Sequence, residues 1–151
     1  MSFQKETITL GLFIVLLCDI PTRVEARSVY AIPQHAGSSL NVYDVLEGIQ
    51  EGQLEYRATY SLKYASAADV VIDTRSDILF VTFENWNKIE LINARTFLSE
   101  GEVTADDASD LAGLELAYID PNTTLLYTVD RGTNKLFVYD WDADECNFGQ
   151  I

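Results

Sequence analysis

The chain carries the same pattern of apolar and polar positions twice. Residues 79–93, LFVTFENWNKIELIN, align without a gap with residues 126–140, LYTVDRGTNKLFVYD, at a spacing of 47 residues. In each copy an apolar run of strand length leads into a polar turn, and a second run begins at Lys88 or Lys135. These runs are rich in β-branched and aromatic residues, which favour β-strands. The pattern therefore predicts one β-hairpin in each copy.

A further strand is predicted before each hairpin. Residues 70–73, VVID, match residues 117–120, AYID, and each segment leads into a polar turn, TRSD in one copy and PNTT in the other. Pro and Asn, both present in the second turn, favour turn geometry. Each copy is thus predicted to contain three consecutive antiparallel strands joined by tight turns.

The last strand of each copy carries a prediction about burial. In the first copy, residues 88–93 alternate apolar and polar side chains for four residues, which predicts a half-buried strand. In the second copy, residues 135–140 are apolar almost throughout, which predicts a strand that is covered on both faces.

A more degenerate copy precedes these two. Residues 28–32, SVYAI, are followed by the loop PQHAGSS and then by residues 40–44, LNVYD, which match LFVYD closely. An additional outer strand is predicted at residues 54–62. The three predicted units lie near residues 28–62, 67–112 and 114–151.

The period of 47 to 49 residues indicates the architecture. A unit of this length with strand-like patterning is typical of a four-stranded propeller blade, whereas helical repeats of similar period place apolar residues every three or four positions. The predicted fold class is all-β, with β-propeller blades of four antiparallel strands that form a partial propeller.

The motif order also resembles a known family. An apolar run closed by Asp, a turn, LFVT or LYTV, a hairpin, Asn-Lys and LFVYD together resemble surface and secreted β-propellers of the YVTN type and, more loosely, NHL-like repeats. The resemblance covers residues 28–142. It implies a binding scaffold, with chemistry added by loops in some relatives.

The repeats account for only part of a ring. Propellers close with about four to eight blades, whereas this chain holds about two and a half to three. The first unit lacks its innermost strand unless the amino-terminal segment supplies it. Two explanations are open: further blades in a longer polypeptide, which is favoured, or several copies that close a ring together as a homo-oligomer.

The amino-terminal 26 residues predict export. Residues 8–18, ITLGLFIVLLC, form an apolar run that is too short to span a membrane, and Val24-Glu25-Ala26 is compatible with cleavage after Ala26. We therefore expect a signal peptide at residues 1–26, a repeat segment at residues 27–151 and a secreted, periplasmic or cell-surface location. An uncleaved amino-terminal anchor is one alternative, and a lipoprotein signal ending at Cys18 is another, which Leu17 disfavours because such signals have a small residue at that position. After cleavage only Cys146 remains, which excludes an intramolecular disulfide.

Charge narrows the class of partner. The chain has 24 acidic and 10 basic residues and a formal net charge of -14. Binding to nucleic acid or to an anionic membrane surface needs clustered Lys and Arg, so neither is expected. No transmembrane span is expected in the mature chain. Protein and polysaccharide remain as the predicted partners.

The best candidate binding residues lie on two equivalent hairpins. Glu84, Asn85 and Trp86 occupy one, and Asp130 and Arg131 occupy the other, so their side chains should emerge on the same rim. A Trp beside polar amides is common in sugar or protein recognition, and Arg131 suits a carboxylate. The alternative for Trp86 is packing between neighbouring units.

Other motifs give weaker indications of a functional site. Asp140, Asp142 and Asp144 alternate as calcium ligands do, but Glu145 and Ile151 stand where the loop rule asks for Gly and Glu. His35 lies in a loop without a partner for catalysis. Asn122 begins a glycosylation sequon, which is meaningful in a eukaryote. No catalytic residue, metal or cofactor is predicted.

The predicted function is noncatalytic binding through rim loops. One alternative is a propeller enzyme, of lactonase or glycoside-processing type, with a central site. Its innermost strands would offer Asp69, Asp73 and Asp120. The other alternative is a structural repeat of the cell surface.

Overall fold

The described part of the chain is built from β-strands. The computed structural model describes residues 13–18, 27–33, 37–45, 53–120, 123–142 and 147–150. The strands are β1 (Phe13–Cys18), β2 (Arg27–Pro33), β3 (Ser39–Val45), β4 (Leu54–Ser61), β5 (Ala67–Asp73), β6 (Ile78–Phe83), β7 (Lys88–Asn93), β8 (Ser99–Thr104), β9 (Leu111–Tyr118), β10 (Thr124–Asp130), β11 (Lys135–Asp142) and β12 (Asn147–Gln150).

The twelve strands form three four-stranded antiparallel sheets. Sheet A contains β1 to β4, sheet B contains β5 to β8, and sheet C contains β9 to β12, with each strand hydrogen-bonded to the next along the chain. Within the described residues, none of these three sheets closes on itself. The all-β prediction is confirmed. Among the described residues there is also no helix with the length and apolar character needed to cross a membrane.

The repeat seen in the sequence is preserved in strand pairing. Leu79 pairs with Ile92 in sheet B, and the positions 47 residues later, Leu126 and Tyr139, pair in sheet C. The turns that join these paired strands contain Asn with positive φ, 63° at Asn85 and 56° at Asn134, and Asp77 in the turn before β6 has a φ of 57°. Asp and Asn tolerate this left-handed region better than other side chains with a Cβ, which favours tight turns.

The structural correspondence between the two repeated units is weaker in their first strands, β5 and β9. β5 continues to Asp73, whereas β9 ends at Tyr118, two residues before the aligned Asp120. Amides of Ile119 and Asp120 donate instead to the Thr123 carbonyl, which closes the turn early. Ile119 is consequently 59% exposed.

The apolar amino-terminal segment takes part in sheet A. β1 pairs with β2 over six residues, from Phe13 opposite Pro33 to Cys18 opposite Ser28. It occupies the position in sheet A that β5 and β9 occupy in the other two sheets. Part of the segment predicted for export thus supplies the strand that the first unit otherwise lacks, so cleavage after Ala26 would remove β1 from sheet A. The predicted cleavage site itself lies outside the described residues.

Sheet B lies between sheets A and C, and a core fills each interface. Leu79, Val81 and Ile92 of sheet B pack towards Ile32, Leu40 and Val42 of sheet A. On the other face, Phe80 and Ile89 pack towards Leu126 and Trp141 of sheet C. All six residues of β6 are buried. Burial of such a side chain contributes about 1.5–3 kcal/mol, so the middle sheet holds the stack together.

The order in which the sheets stack shows that the burial predicted for β7 and for β11 is wrong. In β7, the four residues 89–92 are all buried, although the sequence predicted a half-buried strand. In β11, buried and exposed residues alternate, although the sequence predicted cover on both faces. The reason is position, because sheet B has neighbours on both faces and sheet C has one neighbouring sheet among the described residues.

Candidate functional site

The two predicted hairpins meet at one edge of the sheets. This hairpin edge is formed by turns 84–87 and 131–134 and by connection 105–110. Arg131 Nη2 lies 2.9 Å from Glu84 Oε1 and 3.2 Å from Asp110 Oδ1. The Arg131 amide also donates to the Asp110 carbonyl at 3.0 Å. Units separated by 47 residues in sequence are therefore joined at this edge.

Arg131 remains partly open to solvent but is electrostatically compensated. Its side chain is 52% exposed. Hydrogen bonds and charge attraction from Glu84 and Asp110 raise the pKa of the guanidinium. Asn85 joins the same arrangement through its backbone, whose amide donates to Asp110 Oδ1 at 3.3 Å. On this part of the hairpin edge, the single positive charge of Arg131 thus lies between two carboxylates.

Asp130 is placed as an internal anchor of this edge. It is 1% exposed and accepts from the amides of Asp110 at 2.6 Å, Ser109 at 3.2 Å and Thr133 at 2.9 Å, as well as from the Thr133 hydroxyl. Burial favours the neutral acid, but these hydrogen bonds outweigh burial and lower the pKa of Asp130 to about 2. Its carboxylate holds connection 105–110 against the hairpin.

Trp86 combines packing with exposure. Its indole is 43% exposed, and its ring centroid lies 4.7 Å from that of Tyr64 with a tilt of 39°. Tyr64 belongs to the connection between β4 and β5 and packs edge-on against Phe83 at 5.3 Å. One side of the indole is therefore fixed by the junction of sheets A and B, and another part faces solvent.

A second polar group, which no sequence motif indicates, adjoins this aromatic pair. The Tyr64 hydroxyl donates to Glu102 Oε2 at 2.7 Å, Lys88 Nζ lies 3.2 Å from Glu102 Oε1, and Lys63 Nζ contacts Glu102 Oε2. Bonds from Lys63, Tyr64 and Lys88 lower the pKa of Glu102 to about 2. We call Lys63, Tyr64, Trp86, Lys88 and Glu102 the aromatic–lysine patch.

The patch lies above a buried carboxylate. Glu90 is 3% exposed and stands directly opposite Glu102 in the pairing of β7 with β8. Its Oε2 accepts from the Lys63 amide at 3.1 Å, and burial raises the pKa of the carboxyl group. The equivalent position in the next unit is Phe137, so this site replaces an apolar core residue with an acid.

The opposite edge holds a second cluster of polar groups. Asp73 is fully buried and accepts from Trp141 Nε1 at 2.9 Å, the Tyr118 hydroxyl at 3.0 Å, Ser76 Oγ at 2.6 Å and the Arg75 amide at 3.0 Å. Burial opposes ionisation, yet these bonds lower the pKa of Asp73. This cluster joins sheet B to sheet C.

Asp69 of β5 and Asp120 in the turn after β9 also have internal partners. Asp69 Oδ2 accepts from the Leu114 amide of β9 at 2.9 Å. Asp120 Oδ1 accepts from the Thr123 amide at 2.9 Å within its own turn. These contacts favour structural roles for the carboxylates that a central enzyme site would use.

The remaining candidates are dispersed. Asp140 and Asp142 are exposed on β11, while Asn122, His35 and Asp144 lie outside the described residues. Within the described part of the chain, no three His, Cys, Asp or Glu side chains are arranged to hold a metal ion.

Compared with protein-family models and with curated proteins, the chain matches none.

Proposed function

We propose that the chain is an exported scaffold of β-propeller type that binds a protein or a surface polysaccharide, without catalysis, through its hairpin edge. The observation that carries this proposal is Trp86, an indole that is 43% exposed yet fixed against Tyr64. A rigid aromatic surface loses little conformational entropy on binding, which makes it an effective anchor for a partner.

Contacts between sheets support the propeller part of the proposal. The first strands of successive sheets adjoin, β1 with β5 and β5 with β9. A radial arrangement of four-stranded blades around an axis brings innermost strands together in this way. Membership of the YVTN-like or NHL-like group is part of the same proposal and rests on the sequence resemblance.

The outward face of sheet C supports further blades or a second copy. Val129 and Leu136 are 45% and 60% exposed on this face. Their neighbours Tyr127 and Val138 correspond to Phe80 and Leu91 of sheet B, 47 residues earlier, which sheet C covers. Because the outward face of sheet C is apolar at the same positions as the covered face of sheet B, another unit of the repeat could pack against it.

Binding at the hairpin edge can be tested with the full chain on arrays of immobilised glycans and on candidate surface proteins. Trp86→Ala should lower affinity at least tenfold, because it removes the fixed anchor. Tyr56→Ala is the matched control, since Tyr56 is an exposed aromatic residue, 58% exposed, on β4. Equal loss in both variants would contradict the proposed site.

The enzyme alternative has its own test. Lactones and glycosides would be offered as substrates, and turnover that disappears in Asp73→Asn and Asp120→Asn would replace the binding proposal with a catalytic one. Circular dichroism of both variants must show an intact strand spectrum for that conclusion.

A further inference from the structure

The balance of charge differs between the Arg131 side of the hairpin edge and the aromatic–lysine patch beside it. On one side, Arg131 is shared by two carboxylates, Glu84 and Asp110. On the other side, two ammonium groups, from Lys63 and Lys88, share the single carboxylate of Glu102. The second side therefore places two ammonium groups around one surface carboxylate, with the Glu90 carboxyl group buried beneath them, on a chain whose formal net charge is -14.

The two lysines retain hydrogen-bonding capacity for a ligand. An ammonium group has three N–H donors. Lys63 Nζ uses one on Glu102, and Lys88 Nζ uses one on Glu102 and one on Thr104 at 2.6 Å. The Lys63 side chain is 51% exposed, which keeps it accessible to an incoming group.

The charged and aromatic parts of the patch are within reach of one ligand. Lys63 Nζ lies 5.6 Å from the centroid of the Tyr64 ring, and that ring lies 4.7 Å from Trp86. Glu102 fixes the Tyr64 hydroxyl and both ammonium groups through direct contacts. The flat surface and the cations are thus held in a defined relation before anything binds, which lowers the entropic cost of association.

We infer that the aromatic–lysine patch binds a sugar residue bearing one carboxylate, within a polysaccharide that is otherwise neutral. This inference rests on the proposed binding function and names the ligand class for the same edge. The apolar face of the sugar packs on Trp86, and Lys63 and Lys88 donate to its carboxylate. The acidity of the whole chain disfavours a polysaccharide charged at every residue, because long-range repulsion opposes its approach.

The test uses two matched pairs of oligosaccharides with the full chain in isothermal titration calorimetry. One pair is 3′-sialyllactose and lactose, and the other is xylotetraose with and without a single glucuronic acid substituent. We expect the acidic member of at least one pair to bind at least tenfold more tightly than its neutral partner. The preference should decrease as salt increases, because exposed charges are screened.

Variants assign the preference to the patch. Lys63→Met and Lys88→Met should each reduce the ratio of the affinities for the acidic and the neutral sugar at least fivefold. Lys135→Met is the matched control, because its side chain is also 51% exposed and contacts one carboxylate, Asp107, at 3.8 Å. Trp86→Ala should weaken both sugars.

Each remaining outcome overturns the inference in a distinguishable way. Equal binding of acidic and neutral sugars, lost in Trp86→Ala, would leave the proposed function standing and refute the acidic ligand. Binding of neither sugar, together with Trp86-dependent binding of a Glu-rich peptide, would assign the patch to protein recognition instead. Absence of binding on both these ligands and the wider arrays would remove the proposed function as well.

Discussion

Trp141 Nε1 donates a 2.9 Å hydrogen bond to Asp73 Oδ2 between residues that are 68 positions apart. The bond joins the end of β11 in sheet C to the last residue of β5 in sheet B. The Trp141 ring also packs edge-on against Phe80 at 5.0 Å. A single side chain therefore contributes both a polar and an apolar contact to the interface between two units.

Trp141→Phe should destabilise the fold by about 1–3 kcal/mol, because it removes one donor from a buried carboxylate. Urea unfolding followed by circular dichroism measures the change. Trp86→Phe is the control, since Trp86 is 43% exposed, and it should cost no more than about 0.5 kcal/mol. Similar costs in both variants would show that the Asp73 bond contributes nothing specific.

Asp130→Asn should weaken the hairpin edge in a pH-dependent manner. The pKa of Asp130 is lowered to about 2 in the folded chain, so its ionised form contributes stability above about pH 4. That contribution is lost as the pH falls towards 2. We expect a deficit of about 1–3 kcal/mol at pH 7 that narrows between pH 4 and 2.

The control for Asp130 is Asp107→Asn, in the neighbouring connection. The Asp107 side chain is 85% exposed, so its replacement should change the free energy of unfolding little at any pH. A deficit in Asp130→Asn that stays constant from pH 7 to pH 2 would contradict the anchoring role of the ionised carboxylate.

Leu136→Ala tests whether the outward face of sheet C is covered in solution. In a free chain the substitution should cost less than about 0.5 kcal/mol, because Leu136 is 60% exposed. Leu126→Ala, at a fully buried position of the adjacent strand, should cost about 2–5 kcal/mol. A large cost at Leu136, with a fall in molar mass by light scattering, would show that another copy covers the face.

The hairpins were predictable because their information is local. Apolar runs, turn residues and the 47-residue spacing specify the pairs Leu79 with Ile92 and Leu126 with Tyr139. The burial of β7 was predicted wrongly, because a strand pattern does not reveal how many sheets will cover it. Glu90 illustrates the error, since its polar side chain suggested an exposed position and it is 3% exposed.

In the candidate site, too, some residues could be identified from the sequence and others could not. Trp86 and Arg131 were identifiable because they occupy equivalent hairpins within the repeat. Lys63 and Glu102 were not, because one belongs to the connection from sheet A and the other to the outer strand of sheet B. They meet across 39 residues only when the sheets stack, and neither occurs in a repeated motif.

Glu90→Gln should stabilise the chain at neutral pH. Burial raises the pKa of Glu90, so the folded state favours the neutral acid, and ionisation reduces stability as the pH rises through the folded pKa. Gln mimics the neutral acid and its carbonyl can still accept from the Lys63 amide. We expect a gain in the free energy of unfolding of about 1 kcal/mol at pH 7, typical in size for one substitution, that disappears below about pH 4.5.

Urea unfolding at both pH values measures this gain, with Glu100→Gln on β8, an exposed position, as the control. Destabilisation by Glu90→Gln at pH 7 would mean instead that the buried charge is itself stabilised by the lysines of the patch above it.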